Sequence, residues 1–78
     1  MAVSDEKLYE LCYLRDSVAE ILDSILKVSK LCDEKEDGYP EEVLESIKGC
    51  REKLGKMWEL CDSAEDLVIG AVDLASRG

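Results

Sequence analysis

The sequence predicts an all-α protein built as an antiparallel hairpin of two long helices, over about residues 4–33 and 40–76. Three observations carry this reading. Apolar residues return every seven positions through both halves of the chain. A charged stretch without periodicity, Asp33-Glu34-Lys35-Glu36-Asp37-Gly38-Tyr39, separates the halves. The length of 78 residues allows one domain, 1–78, and only a small core.

The first helix is read from Leu11, Leu14, Val18, Ile21, Ile25, Val28 and Cys32, which alternate spacings of three and four. That is the a/d seam of a heptad repeat. Leu8 and Leu22 widen the stripe on one flank, and Cys12, Ala19 and Leu26 on the other. A stripe this wide suits a bundle better than a two-stranded coiled coil. Ser4 fits an N-cap, with Asp5 and Glu6 in the first turn where the helix dipole favours anions. Lys27 and Lys30 stand near the other end, where cations are favoured.

Pro40 reads as the first residue of the second helix, where its missing N–H costs nothing. The beat then resumes through Val43, Ile47, Cys50, Leu54, Met57, Cys61, Ala64, Val68, Ala71 and Ala75 without a stutter. Arg77 in the last turn and Gly78 after it fit a C-terminus. Ser63 with Asp66 three residues later resembles a capping box. The alternative is therefore a three-helix bundle with a break near 62–63, but a break would have no reason to preserve the phase. Gly49, Gly55 and Gly70 lie off the seam and suggest close backbone approach or local fraying.

A short loop would set residue i level with about residue 73 − i of the second helix. Leu11 then falls opposite Asp62, and Lys7 opposite Asp66. The apolar tail, with Leu67, Val68, Ile69, Val72 and Leu74, is left without a partner in its own hairpin. Each such side chain gains about 1.5–3 kcal/mol on burial. Two hairpins packed as a four-helix bundle would cover the tail. A homodimer with that tail in its interface is the expectation.

Composition excludes several functions. The chain has 19 acidic and 10 basic residues, a net charge of −9, and no histidine. Histidine-based acid–base catalysis and triad hydrolysis are out. Direct nucleic-acid binding is not expected of so acidic a chain. No run of 18 apolar residues exists, so no membrane span is expected. The N-terminal MAVSDEKLYE is charged early and lacks the apolar stretch of a signal peptide, which favours a cytoplasmic location.

Metal and thiol chemistry find little support. The loop partly matches an EF-hand, with Asp33, Asp37 and Gly38 at positions 1, 5 and 6. Lys35 at position 3 and Leu44 at position 12 spoil the match. Glu20-x-x-Asp23 and Glu42-x-x-Glu45 resemble paired metal-binding carboxylates, but all four fall at c and f, away from the seam. No metal and no cofactor is expected. Four cysteines lie 20, 18 and 11 residues apart, with no C-x-x-C. They read mainly as small core residues. The short-loop register brings Cys12 near Cys61, where a disulfide is geometrically possible.

The remaining signals favour binding. Tyr9 and Tyr13, four apart at f and c, form an outward ridge. Arg15 and Arg51 sit at e positions, and the same register sets Arg15 near Trp58, either stacked on the indole or framing an anion notch. Tyr, Trp and Arg are over-represented among binding hot spots, so Tyr9, Tyr13, Arg15 and Trp58 are the candidate partner-binding residues. The functional expectation is a non-enzymatic interaction module, an adaptor or regulator of a protein partner. The alternative is an acidic mimic of nucleic acid that occupies a basic groove on a nucleic-acid-binding protein.

Overall fold

The computed structural model describes residues 3–35 and 37–77. Two helices, α1 (Asp5–Glu34) and α2 (Glu41–Ser76), pack on each other as a hairpin. The particle is 59 Å long and 15 × 11 Å across. That length slightly exceeds the roughly 54 Å of a 36-residue helix.

The helix ends follow local chemistry. Ser4 is the N-cap of α1, its Oγ accepting from the Lys7 N–H at 3.3 Å. Asp5 and Glu6 occupy the first turn of α1, and Glu41 and Glu42 that of α2. Lys27 and Lys30 fall short of the last turn of α1, which holds no basic residue. Pro40 stands one position earlier than expected. It is the N-cap rather than the first helical residue, its backbone extended and its carbonyl accepting from Val43 and Leu44. Gly38 has φ 91°, a left-handed conformation that turns the chain between the helices. Gly78, expected after the last turn, lies outside the described residues.

Helix α2 is unbroken from Glu41 to Ser76, which removes the three-helix alternative. Ser63 and Asp66 are interior helical residues. The unbroken seven-residue phase outweighs a capping signature that has no chain reversal to serve.

The register differs from the short-loop expectation. Asp33 pairs with Arg51 at 2.9 Å, and Cys32 faces Cys50. Counted back at equal rise from these pairs, Leu11 lies level with Val72 and Leu8 with Ala75, not with residues ten earlier. The physical reason is the connection. α2 begins at Glu41, about eight residues before the position level with Glu34, so its first two turns overhang the end of α1. Part of the apolar tail therefore has an internal partner, while Leu67, Ile69 and Leu74 stay exposed. Ala75 is buried, and Val68 and Val72 are half-buried against the first turns of α1.

The packing stripe is also rotated. Taking Leu11, Val18, Ile25 and Cys32 as a, the covered residues of α1 are a with e (Leu8, Arg15, Leu22 and Ser29), joined by Cys12 at b and Ser17 at g. In α2 they are Ile47, Leu54, Cys61, Val68 and Ala75 at a, with Leu44, Trp58, Glu65 and Val72 at e, joined by Asp62 at b and by Ala64 and Ala71 at d. The expected d residues Leu14, Ile21, Val28, Val43 and Met57 are exposed. Only Leu22, Ile25 and Ala75 are buried among the described residues, so the hairpin core is thin.

Candidate interaction surfaces

Antiparallel helices that meet through a and e turn their d and g positions to the same side of the hairpin. That side is apolar. Among the described residues, nine of the fifteen exposed large hydrophobic side chains stand at d or g. In α2, Leu60, Leu67 and Leu74 form a ridge at consecutive g positions, 73%, 76% and 68% exposed. In α1 the same side holds a groove of 430 Å³, lined by Ser17, Glu20, Ile21, Ser24, Ile25 and Val28, with Leu54 from α2. The serine hydroxyls are occupied locally. Ser17 Oγ donates to the Tyr13 carbonyl at 2.9 Å, and Ser24 Oγ to the Glu20 carbonyl at 3.0 Å.

Acidic residues avoid this side, whereas Lys7 at d and Lys53 at g lie on it. Of the seventeen acidic residues in the two helices, fifteen stand at b, c or f. Glu65 is at e, and Glu10 alone is at g. The f positions of α2 are acidic without exception: Glu45, Glu52, Glu59, Asp66 and Asp73.

The exposed area is large for the mass. The chain presents 6133 Å², whereas a compact monomer of 8.7 kDa would present about 4,700 Å². The excess is about 1,400 Å² per chain.

The expected partner-binding residues do not form one patch. Tyr9 and Tyr13 are 79% and 73% exposed on the outer side of α1, as a ridge. Arg15 lies on the e stripe toward α2, its Nε 3.4 Å from Asp16 Oδ1. Trp58 is level with Ile25, about 15 Å along the axis from Arg15, so the two do not stack. The indole Nε1 is buried and without a hydrogen-bond partner among the described residues.

The expected interface residues divide three ways. Leu67 and Leu74 lie on the apolar side. Val68 and Val72 lie on the a/e stripe facing α1. Ile69, at b, lies on the opposite side.

Cys12 and Cys61 are about ten residues, roughly 15 Å, apart along the hairpin, and both thiols are free. A disulfide needs Cα atoms within about 7 Å. The structure instead brings Cys32 and Cys50 together. Loss of solvent pushes the Cys32 thiol above its usual 9.0. The Cys50 thiol and the Asp33 carboxylate push the same way, and the Arg51 guanidinium opposes them. Sequence spacing missed this pair because the assumed register was ten residues out.

Glu20, Asp23, Glu42 and Glu45 all face outward. Among the described residues, no three Cys, Asp or Glu side chains are gathered to hold a metal ion. No described helix is long and apolar enough to cross a membrane.

No protein-family model, no curated protein and no solved structure matches the chain. The class is therefore defined by the fold and its surfaces alone: an all-α, two-helix hairpin with one apolar and one acidic side.

Proposed function

We propose that the chain is a non-enzymatic protein-interaction module, a small acidic helical homodimer that acts as adaptor or regulator of a partner protein. The observation that carries this reading is the uncovered apolar side of a hairpin whose own core is three residues deep. Contiguous apolar surface on that scale marks a protein interface. Covering about 1,400 Å² on each of two copies would bury about 2,800 Å², within the range of obligate homodimers. A four-helix bundle results, and the Tyr9/Tyr13 ridge stays outside it, available to the partner protein.

The test has two stages. Light scattering on a sizing column, in reductant, should give twice 8.7 kDa. Affinity capture should then retain a protein that the Tyr9→Ala, Tyr13→Ala variant, still dimeric, does not retain. Capture of nothing by either form counts against the adaptor role.

A second reading has its own observation, the five consecutive acidic f positions of α2. These carboxylates repeat every ~10.5 Å along one line and suit a basic groove on a nucleic-acid-binding protein. Its signature is partner affinity that falls steeply with added salt.

A further inference from the structure

We infer that the leucine ridge of α2 seats in the serine-lined groove of α1 of a second copy, the two hairpins being related by a two-fold axis parallel to their helices. This rests on the homodimer reading above and assigns its geometry.

Ridge and groove belong to the same side of one chain, so the surface is complementary to itself. An isologous contact requires this, because whatever one copy offers the other must accept. Size fits as well as position. The groove is open because Ser17 and Ser24 are small, and their hydroxyls already donate to their own helix. A leucine entering between them displaces no partner of a buried polar group. The groove wall is mainly aliphatic, formed by Ile21, Ile25, Val28 and Leu54, with Glu20 its one charged residue.

Level decides between the possible axes. The groove runs from residue 17 to residue 28 of α1. In the observed register Leu60 is level with residues 22–24 and Leu67 with residues 15–17. Rotation about an axis parallel to the helices preserves level and exchanges left for right. It lays the partner's α2 on α1, with Leu60 over the middle of the groove and Leu67 at its Ser17 end. Every neighbouring pair in the bundle is then antiparallel. An axis across the hairpin would instead stack α1 on α1 and leave ridge facing ridge.

Electrostatics permits the approach. Two chains of −9 repel, but the d and g positions of this side carry one acid, Glu10, and the groove has one at its edge, Glu20. Apart from Glu65 on the stripe facing α1, the remaining helical carboxylates stand at b, c and f, on the flanks and the back, where water and salt screen them.

The experiment compares solution mass and dimer affinity of the full chain in reductant, with helicity checked by circular dichroism. Leu60→Glu and Ser24→Lys are each on exposed helix surface, so hairpin folding is spared. Each alone should raise the dimer Kd at least about tenfold, by losing a buried leucine or filling the groove. Mixed in equal amounts, the two should form a heterodimer. One of its contacts is then unaltered, and the other pairs the introduced lysine with the introduced glutamate. A monomeric wild-type chain would overturn both this geometry and the homodimer reading. A wild-type dimer unaffected by either substitution would overturn the geometry and leave the homodimer standing. Weakening by both without recovery on mixing would overturn the axis proposed here.

Discussion

Asp33 Oδ1 and Arg51 Nε meet at 2.9 Å across the closed end of the hairpin. The pair joins the last turn of α1 to the third turn of α2, and it marks how far the connection carries α2 past α1. One residue earlier on each helix, Cys32 faces Cys50. The register of the whole molecule can be counted from these four residues.

The ion pair is half-exposed, with side chains 52% and 48% accessible. Its coupling should therefore be modest. A double-mutant cycle with Asp33→Ala and Arg51→Ala, read by urea denaturation, should give about 0.2–1 kcal/mol, diminishing in high salt. A coupling near zero would mean that apolar packing alone sets the register.

Trp58 presents an unsatisfied donor. A buried N–H without a partner costs about 1–3 kcal/mol. Trp58→Phe removes that donor and keeps an aromatic ring on the stripe facing α1. The urea midpoint should stay level or rise. A fall of more than about 1 kcal/mol would show that the indole's extra packing outweighs its orphaned N–H.

The glycines separate into two kinds. A Cβ at Gly49, Gly55 or Gly70 would meet nothing within 4 Å, so close backbone approach within the hairpin does not explain them. Alanine at each should add about 0.8–1 kcal/mol of stability, measured by thermal or urea melting. Gly38 behaves oppositely. Its φ of 91° strains any L side chain, and Gly38→Ala should lose about 1 kcal/mol.

The Cys32 thiol predicts a pH dependence. Its proton is held more tightly in the folded chain than in the unfolded one. The contribution is complete below the ordinary thiol range. It is lost as pH rises through that range, because the unfolded chain ionises first. Denaturation measured from pH 7 upward should show a decline beginning near 9.0. Cys32→Ala should lack that component. An identical decline in the variant would assign it to other groups.

The seven-residue beat and the cap signals by themselves determined that there are two helices, that α1 starts just after the Ser4 cap, and that α2 runs unbroken through Ser63. Those are local properties, set by periodicity and capping within a few turns. The outward placement of Tyr9, Tyr13 and the carboxylates followed from the same phase. Only the tertiary structure decided the rest. On a helix, d and e both flank a, so the pattern allows α1 to pack through Leu14 and Ile21 or through Leu22 and Ser29. Likewise the six residues between Glu34 and Glu41 can turn tightly or climb, and each residue of climb moves every cross-helix pair. Packing across the hairpin chose e and a register in which α2 overhangs α1 by about two turns. That choice separated Cys12 from Cys61 and Arg15 from Trp58, brought Cys32 to Cys50, and turned the d and g residues outward.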